Sequence, residues 1–192
     1  MIIEDVINQT KDLGIQMQPI ELFEIAQCIK PPMNVLVFGL GNDSAFWHNV
    51  NINGRTVFIE NKKKWFNDIT EKYPFLEAYK VEYNTKREDW KNLIDKPDQL
   101  ILNMPDELKK VSWDVIIADG PAGHDYGTPG RMKSIYTASV LIKDGGDVFV
   151  HDAHREVEDA YCAKYLLDMN LVSEVKGSSV LRHYVIRKSK SF

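Results

Sequence analysis

Short apolar runs alternate with amphipathic segments along most of this chain. Several runs are continuous stretches of β-branched and aromatic residues, a pattern typical of strands buried on both faces of a parallel sheet. Amphipathic segments between them have the period of helices that pack on such a sheet. The last two runs are joined by Gly177-Ser178-Ser179 and predict an antiparallel hairpin. The seven predicted strands cover residues 35–38, 55–59, 78–83, 113–118, 147–151, 171–175 and 180–187.

The amino-terminal segment has a helical pattern up to about Cys28, with an interruption near Gly14 and a new start at Pro19. We expect residues 1–33 to form a helical cover and residues 34–192 to form the core. A chain of 192 residues suits one α/β domain, so we predict a single domain over residues 1–192.

Composition narrows the class of protein. The chain is 44% hydrophobic and 27% charged, and no apolar segment approaches the length of a membrane span. A net charge of −4 argues against a nucleic-acid partner. The two cysteines lie in apolar contexts, which favours reduced thiols. The start of the chain does not have the pattern of a secretion signal, so we expect a cytoplasmic location.

The turn after the first strand carries Gly39 and Gly41, one residue apart. A helix that begins there leaves backbone N–H groups facing a crevice at the end of the strand, where a nucleotide-like ligand can bind. A dinucleotide fingerprint would place a third glycine at position 44, which here is Ser44. This departure favours S-adenosylmethionine, which has no pyrophosphate, and we predict that Gly39, Gly41, Asp43 and Ser44 form the methionine end of its site.

Two more positions complete the predicted cofactor site. Glu60 ends the second strand nineteen residues after Gly41, a spacing that places a carboxylate at both ribose hydroxyls. Tyr83 and Asn84 follow the third strand and would contact the adenine. The alternatives are a plain strand-to-helix turn with an unrelated glutamate, and a tyrosine at the edge of the core.

Carboxylates follow the fourth and fifth strands. Asp119 and Asp152 should face each other across the crevice, because parallel strands end at the same edge of the sheet. They are candidates for a general base that deprotonates an acceptor hydroxyl, or for ligands of a divalent cation, with His154 assisting. The alternatives are a turn residue for Asp119 and structural roles for the histidines, including His151.

A loop over residues 120–132, rich in glycine and proline, joins two core elements beside this edge. Loops of this length are often binding loops, and we predict that His124 and Tyr126 contact the acceptor. Arg131 and Arg155 have guanidinium groups that bind carboxylates, and we predict that they orient an acidic acceptor. Taken singly, each of them is more often a surface charge.

Long motifs resemble the plant glucuronoxylan 4-O-methyltransferase family. They are Asp119-Gly-Pro-Ala-Gly, Pro129-Gly-Arg-Met, Ile135-Tyr-Thr-Ala, Val148-Phe-Val-His-Asp and Arg155-Glu-Val-Glu-Asp, together with the turn at 35–44 and the strand at 55–60. The resemblance covers about residues 34–167. It implies transfer of a methyl group from S-adenosylmethionine to a sugar hydroxyl, which in the plant members is the 4-hydroxyl of glucuronic acid, and it makes stimulation by a divalent cation plausible.

The predicted fold is therefore α/β: the Rossmann-like fold of S-adenosylmethionine-dependent methyltransferases, with a mostly parallel seven-stranded sheet and a carboxyl-terminal antiparallel hairpin. The predicted partner is a saccharide acceptor in a glycan, a lipid-linked intermediate or a nucleotide sugar. Two other functions stay open. One is an NAD-linked oxidoreductase with the same glycine turn, and the other is a noncatalytic module that binds a glycan or a protein.

Overall fold

The computed structural model describes residues 2–188, which form a seven-stranded sheet with helices on both faces. The strand order is β3-β2-β1-β4-β5-β7-β6. The strands are β1 (Asn34–Phe38), β2 (Arg55–Glu60), β3 (Glu77–Lys80), β4 (Trp113–Ala118), β5 (Ile142–Val150), β6 (Leu171–Lys176) and β7 (Val180–Ile186).

Parallel pairing joins the first five strands, and β7 pairs antiparallel with both β5 and β6. The predicted mostly parallel sheet with a terminal hairpin is thus confirmed, and the hairpin places β7 inside the sheet rather than at its edge. Two strand bounds differ from the sequence prediction by more than one residue. Strand β3 ends at Lys80, and β5 begins at Ile142, so that Gly145-Gly146 lies within the strand instead of before it.

The helices occur before, between and after the strands. They are α1 (Ile3–Thr10), α2 (Pro19–Ala26), α3 (Ser44–Val50), α4 (Lys63–Lys72), α5 (Trp90–Leu93), α6 (Pro97–Leu100), α7 (Asp106–Lys109), α8 (Met132–Leu141) and α9 (Glu156–Tyr165), with 3-10 turns at Arg87–Asp89 and Asp168–Asn170. Within residues 2–188, none of these helices is long and apolar enough to cross a membrane.

Buried side chains form one cluster on each face of the sheet. Helices α8 and α9 cover one face, where Ile135 and Tyr161 pack on strand residues such as Ile116. The other face is covered by α2, α3 and α4 through residues such as Leu22 and Trp47. Because strand side chains alternate between faces, each central strand contributes to both clusters. The prediction of a single domain with a helical cover over residues 1–33 stays a prediction, although α2 shares its buried cluster with the sheet.

Candidate active site

A crevice of about 640 Å³ lies beyond the carboxyl ends of β1, β2 and β4. This is the edge where open α/β sheets bind ligands, and the volume is in the range of small-molecule sites, about 300–1,000 Å³. The loop between α1 and α2, residues 14–17, closes one side of the crevice. Predicted site residues that line it are Gly39, Gly41, Asp43, Glu60, Asp119, His124, Arg131, Asp152 and Arg155.

The glycine turn brings two strand ends into close contact. Gly39 has φ +123°, a conformation that disfavours every residue with a side chain. A Cβ atom at Gly39 would lie 3.4 Å from the carbonyl oxygen of Asp119. Two residues after Gly39, the N–H of Gly41 donates to the Ser44 hydroxyl at 2.8 Å, and this bond closes the turn into α3. Ser44 is buried and shapes the turn from beneath the crevice.

Asp43 directly precedes α3 next to the crevice. The indole N–H of Trp47 donates to Asp43 Oδ2 at 2.8 Å and fixes the carboxyl group. Burial raises the pKa of Asp43 to about 6, and the nearby negative charge of Asp119 contributes to that rise. A positively charged ligand group in the crevice would favour the ionised form of this carboxyl group.

Glu60 is held by backbone groups of two strand ends. Its Oε1 accepts hydrogen bonds from the N–H groups of Asn61 at 2.8 Å and Lys62 at 2.6 Å, and its Oε2 accepts one from Leu40 at 3.2 Å. A carboxylate has about four lone-pair positions, so three are occupied and one is free. This geometry suits one ribose hydroxyl rather than the two that the sequence spacing predicts.

The carboxylate of Asp119 is connected to a buried glutamate through His151. The Nδ1 atom of His151 lies 2.9 Å from Asp119 Oδ1, and its Nε2 atom lies 3.2 Å from Glu21 Oε1. Glu21 is fully buried on α2, and its other oxygen accepts hydrogen bonds from the backbone of Gln18 at 2.7 Å and from Ser178. The chain thus builds a carboxylate–imidazole–carboxylate row that ends at the crevice.

Arg131 joins the two predicted catalytic carboxylates. Its Nη2 atom lies 3.1 Å from Asp119 Oδ1 and 2.7 Å from Asp152 Oδ2, and its Nη1 donates to the carbonyl of His151. Arg155 also pairs with Asp152, at 2.9 Å. Burial alone would raise the pKa of Asp152, but the charge of Arg131, the hydrogen bond from Ser179 and the charges of His151 and Arg155 together outweigh burial and lower it. Asp152 has φ +60°, so the backbone turns sharply at the end of β5 and directs this residue to the cluster.

The predicted role of Arg131 in binding an acidic acceptor does not fit this environment. Only 6% of its side chain is exposed, and each of its three guanidinium nitrogens contacts a protein oxygen. Asp119, by contrast, keeps Oδ2 without a hydrogen bond to any residue from 2 to 188, and its side chain is 26% exposed at the crevice. Arg131 therefore positions Asp119, and Asp119 offers one oxygen to a ligand.

A shared divalent cation does not fit between Asp119 and Asp152 in this arrangement. The two carboxylates and His151 place ligand atoms within 4.8 Å of one another, which would suit a metal ion. However, the guanidinium of Arg131 contacts both carboxylates and supplies the positive charge there. A cation could bind this pair only if Arg131 moved away.

Besides the buried Ser44, four predicted site residues lie away from the crevice lining. The hydroxyl of Tyr83 is buried at 2.9 Å from the Ser134 hydroxyl, and Asn84 lines a separate surface hollow. Tyr126 is 71% exposed beneath the guanidinium of Arg87. The ring of His154 is near Ser179, whose hydroxyl donates to Asp152, so His154 reaches the cluster only through another residue.

Sequence reasoning missed Glu21 and Trp65, and it left His151 without a role. Glu21 lies 130 residues from His151 along the chain, in a helix whose apolar pattern predicts packing only. Trp65 is expected from helical periodicity to face the core, but it is 40% exposed, lines the crevice and donates its indole N–H to the carbonyl of Leu40. His151 could have been found from its place between Val150 and Asp152, because alternation directs it to the face that α2 covers.

The pKa of His151 predicts how the free energy of unfolding depends on pH. Burial lowers its pKa, but the hydrogen bond and the charge of Asp119 outweigh burial, so the pKa is raised above 6.5. A group whose pKa rises on folding stabilises the protein fully below its unfolded pKa and loses that effect as the pH passes its folded pKa. We expect the free energy of unfolding in urea to fall across this window in the wild type. The fall should be smaller in His151→Gln and unchanged in His48→Gln; equal slopes in all three would contradict the assignment.

Comparison with known proteins agrees with this geometry. The sequence profile of the IRX15/IRX15L/GXM family matches residues 20–101 and 98–184. Glucuronoxylan 4-O-methyltransferase 1 of Arabidopsis thaliana is 39% identical over 178 residues, which cover 82% of this chain and 62% of that protein. Arabinogalactan O-methyltransferase 1 of the same plant is 32% identical over 159 residues, 70% of this chain and 55% of that protein. The chain therefore spans less than two thirds of either relative.

Solved structures show the same fold at low sequence identity. The N-methyltransferase NodS from Bradyrhizobium japonicum WM9, in complex with S-adenosyl-L-homocysteine, superposes with a TM-score of 0.54 at 12% identity, covering 88% of this chain and 85% of that chain. The predicted Rossmann-like methyltransferase fold is confirmed by this likeness and by the strand order. Because the family profile covers most of the chain, we conclude that this protein belongs to the IRX15/IRX15L/GXM family.

Proposed function

We propose that this protein is an S-adenosylmethionine-dependent O-methyltransferase that acts on a sugar hydroxyl, the 4-hydroxyl of a glucuronic acid unit being the first candidate. One observation carries the proposal: Asp119 presents an unbonded carboxylate oxygen at the crevice of a methyltransferase fold. The proposal is also supported by the similarity of this chain to a protein named as a glucuronoxylan 4-O-methyltransferase. Our prediction of a cytoplasmic location and of no nucleic-acid partner stays a prediction.

The residues of the crevice fit the proposed cofactor. Gly39 and Gly41 leave room beside the backbone, Glu60 keeps one lone pair for a ribose hydroxyl, and Asp43 adds a carboxyl group near the glycine turn. Trp65 offers an exposed indole on the side of Glu60, where Tyr83 and Asn84 do not reach. We therefore assign the adenine to Trp65, since stacking on an aromatic side chain contributes about 1–3 kcal/mol per base.

Asp119 acts as the proton acceptor in the proposed reaction. When bound, S-adenosylmethionine supplies a methyl group on a positively charged sulfur that leaves as a neutral thioether. An alcohol attacks well only once its proton is being removed, so Asp119 Oδ2 takes the proton while the bond from acceptor oxygen to methyl carbon forms. Arg131 and His151 hold Oδ1 and so fix the direction of Oδ2. This role requires no cation between Asp119 and Asp152.

The acceptor is assigned to the side of the crevice that carries His124 and Arg155. Arg155 is 26% exposed and uses one terminal nitrogen on Asp152, so the remaining donors are available to a uronate carboxylate. His124 is exposed on the loop that follows β4. This division gives Arg155 the contact with an acidic acceptor and leaves Arg131 to position Asp119.

Glu60→Gln tests the cofactor assignment. The variant keeps the shape of the side chain, but its amide nitrogen cannot accept a hydrogen bond. A hydrogen bond to a charged group contributes about 1.5–3 kcal/mol, so we expect S-adenosylhomocysteine to bind about 10–150-fold more weakly. Calorimetric titration of wild type, Glu60→Gln and the exposed control Glu71→Gln measures this loss.

Three outcomes of that titration are informative. Loss in Glu60→Gln alone supports the assignment. NAD affinity without affinity for S-adenosylhomocysteine would favour an oxidoreductase, and binding of glycan acceptor without either cofactor would favour a noncatalytic module. Methyl transfer to glucuronoxylan oligosaccharides, compared with arabinogalactan and neutral xylan, then identifies the acceptor class.

A further inference from the structure

A second cluster of metal-ligating side chains lies on the face of the sheet that α2 covers, away from the crevice. It consists of Cys28, Asp147 and His183, whose ligand atoms all lie within 4.8 Å of one another. Asp147 Oδ1 is 2.7 Å from His183 Nε2, and Glu24 Oε1 is 3.8 Å from the other ring nitrogen. The imidazole therefore has a carboxylate near each nitrogen.

Glu24 and Cys28 are placed by the same helix that carries Glu21 to the active site. Glu24 follows Glu21 by one turn of α2, and Cys28 comes two residues after the helix ends, so the three side chains are spaced along one face. Opposite them, Asp147 on β5 and His151 directly after β5 lie on the same face of the sheet, with His183 on the neighbouring β7. The ring of His183 stacks on Phe149 at 4.3 Å, which holds it in place.

The charge of this cluster is not balanced by protein groups. Among residues 2–188, neither Glu24 nor Asp147 forms an ion pair with a lysine or an arginine, and His183 is the basic partner of both. Their side chains are only 18% and 21% exposed. In the active site, by contrast, two arginines neutralise the buried carboxylates. Partly buried carboxylates without a cation are unfavourable, and a bound metal ion would supply the missing charge.

The ligand types select the metal. Thiolate, imidazole and carboxylate together suit Zn²⁺, whereas Mg²⁺ and Ca²⁺ require oxygen ligands alone. Zinc bonds of about 2.0–2.3 Å separate neighbouring ligands by about 3.3–3.8 Å, so the observed cluster needs only small side-chain movements. Burial raises the pKa of the Cys28 thiol to about 11, with Asp147 and Glu24 adding to the rise. Metal binding would displace that proton.

We propose that Cys28, Asp147 and His183 form a zinc site, with a water molecule as fourth ligand and Glu24 orienting the imidazole. A carboxylate on the free ring nitrogen is the usual partner of a zinc-bound histidine. The hydroxyl of Ser173 donates to Glu24 and holds that carboxylate toward His183. The site lies between α2 and the β5–β7 pair, so the metal joins the amino-terminal helix to the sheet.

Zinc retention after desalting tests the site. Protein stripped with chelator, loaded with Zn²⁺ and desalted should retain about one ion per chain in the wild type and in Cys162→Ala, whose thiol lies in the core on the opposite face. Cys28→Ser and Asp147→Asn should retain almost none, and Glu24→Gln should bind about 10–100-fold more weakly. Circular dichroism identifies any variant that fails to fold. Loading with Co²⁺ should produce a thiolate-to-metal absorption band that Cys28→Ser abolishes and Cys162→Ala keeps.

Two results would overturn the proposal. One is a wild-type protein that retains no zinc. The other is retention that survives Cys28→Ser and Asp147→Asn but is lost in Asp152→Asn, which would place the ion at the active-site carboxylates. Because the readout is bound metal and not methyl transfer, failure here is independent of the function proposed above.

Discussion

Asp119→Asn is expected to lower kcat for methyl transfer by about 10²–10⁴-fold, the usual contribution of a general base. The amide keeps the size of the side chain, but it cannot take a proton from the acceptor hydroxyl. The wild-type oxygen proposed to take this proton is the one without a hydrogen bond in residues 2–188. Binding of S-adenosylhomocysteine should be largely retained, because the glycine turn and Glu60 are unchanged.

The matched control is Asp168→Asn, the same substitution at an exposed position after α9. It should leave kcat at the wild-type value. Turnover of Asp119→Asn within tenfold of wild type, with thermal stability preserved, would remove Asp119 from the role of proton acceptor. A loss of cofactor affinity equal to the loss of turnover would instead make it a binding residue.

Arg131→Met is expected to lower the free energy of unfolding by about 3–5 kcal/mol, because it leaves the buried carboxylate of Asp152 and the half-buried carboxylate of Asp119 without their shared cation. Arg131 contacts Asp119 and Asp152, and its side chain is 6% exposed. The loss should shrink as the pH is lowered, since the pKa of Asp152 is no longer held down by Arg131 and this carboxyl group becomes protonated more readily in the variant. Urea unfolding at several pH values measures both effects.

Arg55→Met is the matched control for this experiment. Arg55 pairs with Glu77 at 2.6 Å, but both side chains are 37% exposed, so the pair contributes about 0–1 kcal/mol. If Arg131→Met cost no more than Arg55→Met, the buried cluster would not depend on this guanidinium. Methyl transfer should also fall in Arg131→Met, because Asp119 loses one of the two groups that hold Oδ1.

Features that depend on neighbours in sequence could be predicted, and the structure bears this out for the sheet. Gly39 follows a buried strand directly, and Asp119 and Asp152 each follow another, so the rule that parallel strands end at one edge places all three at the crevice. The antiparallel pairing of the last two strands could also be predicted, because a short turn joins only antiparallel strands.

Features that depend on long-range packing could not be predicted. The partner of His151 lies on α2, and no local pattern distinguishes Glu21 from the exposed glutamates of other helices. Arg131 has the position expected for a ligand-binding residue, yet the carboxylates that follow β4 and β5 use its donors. The spacing of Glu60 was informative, but the backbone N–H groups that occupy three of its lone pairs are visible only in three dimensions.

The burial of Glu21 decides where a minimal fragment of this protein can begin. Its carboxylate accepts hydrogen bonds from Gln18 at the start of α2 and from Ser178 in the β6–β7 turn, while contacting His151. One side chain therefore connects a segment near the start of the described chain to a segment near its end. A fragment trimmed to begin at β1 would retain every strand, but it would lose the acceptor for Ser178 and the partner of His151. A truncation series should keep everything from residue 18 onward.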